Sequence, residues 1–280
     1  MSETSQRLAA GIRVAAIQMV TRAQASHIGG ALSMTDLLAV LYSEALNVRP
    51  EDARWPERDR FILSKGHCCA ALYATLALRD FFPVAELETF GRDGSRLITH
   101  ASDKVPGVEF STGSLGHGLP FGCGKALAAK RAGKTWRTWV MLSDGELDEG
   151  SNWEAILFAP QHRLDNLIAI VDYNKIQSLG SVSEVMELEP LAEKLRAFRW
   201  AVREVDGHDH AAIHAALTAI PWEVGRPSCL IAHTVKGKGV DFMEHKLKWH
   251  YSSPDADQSA SALSQLALFN ENRVHPATRA

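Results

Sequence analysis

Residues 138–177 read TWVMLSDGELDEGSNWEAILFAPQHRLDNLIAIVDYNKIQ. The runs 138–142 and 167–172 are short, apolar and uninterrupted, the pattern of strands buried on both faces. The segment 151–163 between them is long enough for a crossover helix, so the stretch predicts one βαβ unit with parallel strands. Ser151 and Glu154 form an S-x-x-E capping box that would start this helix, and Pro160 predicts a local kink near its end. Asp144 closes the first strand and Asn174 follows the second, which sets both side-chain oxygens at the same edge of the sheet.

The same alternation extends in both directions. Strands are expected at 61–63, 201–205 and 228–233, and helices at 5–24, 35–47, 69–80, 119–131, 187–198 and 209–219. Leu8, Ile12, Ala15 and Met19 lie at helical spacing in the first helix, and Leu188, Leu191, Leu195 and Phe198 in the helix at 187–198. The fold class is α/β, a single doubly wound, mostly parallel sheet with helices on both faces. With 280 residues and 46% hydrophobic composition, the chain can bury a full core. Its 30 Lys+Arg against 33 Asp+Glu leave a net charge of -3, which excludes bulk electrostatic binding of nucleic acid or an anionic membrane. Cys68, Cys69, Cys123 and Cys229 lack metal or dithiol spacing and read as reduced apolar fillers. The start of the chain has no signal-peptide pattern and no apolar run reaches membrane length, so the expected location is cytoplasmic.

In such a sheet the ligand lies beyond the carboxyl ends of the strands. The loops there are Ser64-Lys65-Gly66-His67, Ser143-Asp144-Gly145, Asn174-Lys175-Ile176 and Thr234-Val235-Lys236-Gly237. A carboxylate, an amide oxygen and a loop carbonyl are hard ligands that suit Mg²⁺ completing its shell with phosphate oxygens and water. Gly145 lets backbone approach such a group closely. An Asp-Gly after a strand is also an ordinary turn, and a loop Asn an ordinary turn former; the joint spacing carries the signal. A competing motif is Gly116, Gly118 and Gly122 ahead of a helix, a G-x-G-x-x-x-G pattern of dinucleotide sites, although VEFS before it is a poor strand.

DGELDEGSNWEA followed by LDNLIAIVDYNKIQ resembles the thiamine-diphosphate motif of the transketolase family. ASHIGGALSMTDLL (25–38), DRFILSKGHCCAALYA (59–74), PGVEFSTGSLGHGL (106–119), VDGHD (205–209), PSCLIAHTVKGKG (227–239) and KWHYSSP (248–254) resemble it further, in the family's order. The resemblance implies thiamine diphosphate with Mg²⁺, or Ca²⁺ or Mn²⁺ as a substitute. Asp144, Asn174 and the Ile176 carbonyl would hold the metal. Lys65, Lys236, Gly145 and Glu146 would serve the diphosphate, and Gly113, Leu115 and His117 would lie near the rings. His27, His67, His100 and His250 would be the active-site histidines, with His162, His210, His214 and His275 as bystanders. Glu149 would sit at a subunit interface, coupling paired cofactors. Ser143 in place of a glycine, His117 in place of a glutamine and Ile28 in place of a proline depart from the family's usual pattern.

The resemblance covers one of the family's three domains. It implies a binding domain over 1–254, then a polar tail over 255–280, helical and then disordered. It further implies a split transketolase that transfers a two-carbon ketol unit from a ketose or ketose phosphate to an aldose. The partner would be a C-terminal transketolase subunit carrying the pyrimidine-binding and C-terminal domains, with two copies of each chain in a hetero-tetramer and apolar surface at 111–123 and 149–160 buried between them. Alone, this chain would be inactive. The alternatives are a non-catalytic relative, a dinucleotide-binding module, and a subunit of the 2-oxoacid dehydrogenase or deoxyxylulose-phosphate-synthase-like kind; SKGH and WH-x-x-x-P favour transketolase.

Overall fold

The computed structural model describes residues 3–274. The helices are α1 (Glu3–Ala23), α2 (Ile28–Ser33), α3 (Thr35–Val40, continued by a π-helical turn at Leu41–Ala45), α4 (Cys69–Leu78), α5 (Gly118–Arg131), α6 (Gly150–Gln161), α7 (Val182–Val185), α8 (Leu191–Ala197), α9 (His210–Thr218) and α10 (Ala256–Val274). The strands are β1 (Arg60–Leu63), β2 (Thr138–Ser143), β3 (Leu167–Tyr173), β4 (Ala201–Asp206) and β5 (Ser228–His233). All strands pair in parallel, in the order β1-β2-β3-β5-β4.

Alternation along β2 explains why its sequence is apolar throughout. Trp139 and Met141 enter the core on one face with α1 to α4, α9 and α10; Val140 and Leu142 enter the core on the other with α5, α6 and α8. β4 is one of the two edge strands, and Arg203 and Glu204 are exposed there.

The strand order fixes where a ligand belongs. β1, β2 and β3 are laid side by side, then the chain crosses to the far edge for β4 and returns to insert β5 beside β3. The helices that immediately precede β2, β3 and β4, namely α5, α6 and α8, lie on one face, and α9, which precedes β5, lies on the other. Helices therefore diverge around the carboxyl ends of β3 and β5, leaving a crevice at the reversal.

Several local expectations are corrected. Glu149, not Ser151, is the N-cap of α6; Ser151 Oγ instead donates to the Gly116 carbonyl at 2.7 Å. The reciprocal capping box occurs at Ser181 and Glu184, opening α7. Pro160 stands in the last turn of α6, and the Ile156 carbonyl that its missing amide would have satisfied accepts from the Trp200 indole at 2.9 Å. α8 begins at Leu191 because Pro190 takes the N-cap position, with Glu189 Oε2 accepting the Leu191 amide at 3.0 Å. Beyond residue 255, α10 packs along α1, with Ala262 and Leu266 fully buried in the same core. Residues 275–280, including His275 and the disordered end expected there, lie outside the described residues.

Candidate active site

Four loops at the carboxyl ends, the turn before α2 and the segment at 247–251 converge on one cleft. It is lined by His27, His67, His100 and His250, by Lys65 and Lys236, and by Gly113, Leu115, Asp144, Gly145, Asn174 and Ile176.

The register Ser143↔Asp172 sets Asp144 beside the end of β3. Asp144 is buried; its Oδ1 accepts from the Gly145 amide at 2.8 Å and its Oδ2 from the Lys175 amide at 2.5 Å. Burial, with Asp172 nearby, pushes its carboxyl up to about 6. Asn174 Nδ2 donates to Asp172 Oδ2 at 3.3 Å, and its Oδ1 accepts from the Ile176 amide at 3.2 Å. A carboxylate only accepts and a main-chain amide only donates, so both neighbours fix which end of the Asn174 amide is oxygen. The Ile176 carbonyl accepts from Lys236 Nζ at 2.9 Å.

The two lysines are held differently. Lys65, wholly buried, donates to Asp172 Oδ2 and to the Gly30 carbonyl at 3.3 Å. Burial opposes its charge, but Asp172 outweighs burial and raises the ammonium above its ordinary value. Asp172 also accepts from Ser33 Oγ at 2.5 Å and from Thr234 Oγ1, so one buried carboxylate ties four segments together. Lys236 donates to the Ile176 carbonyl and to His250 Nδ1 at 2.9 Å, and it has no carboxylate partner among the described residues. Burial, then Lys65, pushes it down to about 8.

The histidines form a compact group. The His27 ring centroid lies 4.9 Å from His67, 5.1 Å from His250 and 6.1 Å from His100. Burial, reinforced by cationic neighbours, lowers His27 to about 4 and His250 to about 3, and holds His67 well below its ordinary value. An ammonium on His250 Nδ1 makes that nitrogen an acceptor, so the neutral ring carries its proton on Nε2.

Two expected cofactor-binding residues stand elsewhere. Glu146 is fully buried behind the cleft, accepting from Ser64 Oγ at 2.5 Å, from the Gly116 amide at 3.0 Å and from the Ser143 amide at 3.3 Å. Its carboxylate braces three loops and does not line the cleft. His117 is exposed and also lies outside the lining, and Glu149, expected at a subunit interface, is exposed at the N-cap of α6. The dinucleotide alternative loses its basis here: VEFS at 108–111 forms no strand, so Gly116, Gly118 and Gly122 do not stand in the strand–turn–helix that such a site requires.

The sequence from residue 4 to residue 274 matches the family described as "Transketolase, thiamine diphosphate binding domain". The chain belongs to the transketolase family. It is 42% identical over 251 residues to an apulose-4-phosphate transketolase subunit of Phocaeicola vulgatus, covering 90% of this chain and 89% of that one. It is 40% identical over 256 residues to the 6-deoxy-6-sulfo-D-fructose transketolase subunit SqwG of a Clostridium species, covering 91% and 93%. The solved transketolase of Campylobacter jejuni superposes with a TM-score of 0.89 at 29% identity, covering 98% of this chain and 46% of that one. The chain thus spans about half the length of that solved transketolase.

Within this transketolase-family site, sequence reasoning missed Asp172. A carboxylate inside an otherwise apolar, doubly buried strand was the available signal, because such a charge requires a partner. Gln177, Ser178 and Tyr251 also line the cleft; Gln177 and Tyr251 fall inside the motifs LDNLIAIVDYNKIQ and KWHYSSP but were given no role. Ser143, which departs from the family's usual glycine, ends β2, lines the cleft and accepts the Glu146 amide at 3.3 Å. Ile28 is the buried first residue of α2.

Proposed function

We propose that this chain is the diphosphate- and metal-binding subunit of a two-chain transketolase, which moves a two-carbon ketol unit from a ketose or ketose phosphate to an aldose. The observation that carries the reading is the convergence of Asp144, Asn174, the Ile176 carbonyl, Lys65 and Lys236 on one cleft lined by four histidines. Among the described residues no three His, Cys, Asp or Glu side chains could hold a metal ion, so a metal here rests on one carboxylate and two neutral oxygens. That donor set fits a hard cation that keeps positions open for phosphate oxygens. Lys236, buried without a carboxylate, fits the same group: a phosphate would supply the counter-charge it lacks.

Asp144, Asn174 Oδ1 and the Ile176 carbonyl would hold Mg²⁺, and Lys65, Lys236 and the open backbone at Gly145 would hold the diphosphate. Thiamine diphosphate, when bound, supplies the nucleophilic carbon and electron sink needed to break a C–C bond beside a carbonyl. Neutral His27, His67 and His250, with His100, would hydrogen-bond donor hydroxyls and take or return protons there. Glu149, exposed at the start of α6, would meet the partner. That partner would bring the pyrimidine-binding and C-terminal domains and complete a hetero-tetramer. The match over 89% and 93% of two relatives named as transketolase subunits supports this division. Reduced, buried cysteines support a cytoplasmic location.

Calorimetric titration of the full chain with thiamine diphosphate and Mg²⁺, beside NAD, tests the reading. Binding of the first and not the second is expected, and Asp144→Ala should abolish it. Binding of NAD, or full affinity in Asp144→Ala, overturns the reading.

A further inference from the structure

Away from the cleft, the layer under α1 and α3 encloses a second polar group, built around Asp36. Asp36 is fully buried and makes a two-pronged pair with Arg13, at 3.2 Å from Nη1 and 2.6 Å from Nη2. Two histidines complete it: His208 Nδ1 lies 2.8 Å from Oδ2, and His210 Nε2 lies 2.8 Å from Oδ1. The carboxylate only accepts, so each of these ring nitrogens carries a proton. The far nitrogen of His208, Nε2, receives the main-chain amide of Val235 at 2.9 Å, and a main-chain amide only donates. His208 is therefore neutral with its proton on Nδ1, wired between a buried anion and the residue before Lys236.

We infer that His208 is a positioning residue for Lys236. The segment 234–237 is pinned residue by residue: Thr234 Oγ1 donates to Asp172, Val235 N to His208, and Gly237 N to the Gly29 carbonyl at 2.9 Å. Of these anchors His208 alone reaches the segment from the Asp36 group. Its Nε2 thereby holds the main-chain amide next to the lysine whose ammonium faces the cleft, as outer partners orient the ligands of a metal site. The role in diphosphate binding rests on the function proposed above; the wiring of His208 to Val235 does not.

The test uses the full chain. Nitrogen-15 NMR of the histidine side chains at pH 7 should give His208 as the neutral Nδ1–H tautomer; an Nε2–H ring or an imidazolium overturns the inference and needs no variant. Two isopolar substitutions then separate wiring from mere filling. His208→Gln keeps an acceptor where Nε2 stood, whereas His208→Asn keeps only the Asp36 side. Acylation of Lys236 by an amine reagent, read by mass spectrometry without cofactor, should be about fivefold faster in His208→Asn, the size of one lost hydrogen bond, and near wild type in His208→Gln. Equal rates in the two variants overturn the inference, whether both rise or neither does. Thiamine diphosphate with Mg²⁺ should bind about tenfold more weakly to His208→Asn. If the wild-type chain binds no thiamine diphosphate while tautomer and acylation behave as stated, the proposed function falls and the positioning of Lys236 stands.

Discussion

The floor of the cleft and its rim are built in opposite ways. On the floor, Lys65, Asp172, Ser33 and Thr234 are buried and satisfy one another. At the rim, His117 and Glu149 are exposed, and beyond them on α6 Leu157 is 65% and Phe158 38% exposed. A floor this complete organises itself, whereas the exposed apolar side chains farther along α6 are the kind of surface a second chain would cover. The largest expected effect contrasts the two. Asp172→Ala leaves the Lys65 ammonium buried without a counter-charge and should cost about 3–5 kcal/mol in urea unfolding of the isolated chain. Glu149→Ala should change that stability by less than about 0.5 kcal/mol. Similar losses in both variants would erase the distinction between floor and rim.

Association sharpens the contrast from the other side. Leu157→Glu places a charge on the exposed part of α6 and should weaken binding to a chain carrying the complementary domains by about tenfold, measured by sedimentation of the mixture. The isolated variant should unfold at the wild-type denaturant concentration. Wild-type association in Leu157→Glu would show that α6 faces away from the partner.

What was legible in the sequence follows the same division. Four of the five strands were readable because burial on both faces leaves largely apolar runs such as LIAIVDY, whereas β4, with Arg203 and Glu204 exposed, was readable from the alternation of strands and helices along the chain. The cleft lining from Lys65, Asp144, Asn174 and Lys236 was readable because these residues directly follow strands in a parallel sheet, and topology brings such positions together. Glu146 was misplaced because its hydrogen-bond donors, Ser64 and Gly116, are 82 and 30 residues distant in the chain. No local pattern distinguishes a carboxylate that braces three loops from one that faces a ligand. Ser151 misled for a related reason: its hydroxyl had a tertiary partner at Gly116, and that contact displaced the local cap.

The smallest expected effect separates floor from histidines by pH. His27 and His250 titrate at about 4 and 3 in the folded chain, and His67 is also held well below its ordinary value of 6.5. The unfolded chain takes up these protons near 6.5 and the folded chain does not, so stability is full above that pH and is lost as pH falls below it. Asp144 acts in the opposite sense. Its folded value of about 6 lies above its ordinary 3.8, so the folded chain takes up that proton first and gains stability over the same fall. The raised carboxyls of Asp59, Glu146 and Asp148 act with Asp144, and the loss at the three histidines, whose ordinary value of 6.5 lies inside the range, outweighs them. The melting temperature of the chain without cofactor should therefore drop between pH 7 and pH 5, and solvent at the partly open His27 and His250 keeps the drop modest. His250→Asn should flatten the slope. A melting temperature that holds or rises over that range would mean that the histidines are charged in the fold, which would remove the neutral donors on which the proposed proton traffic depends.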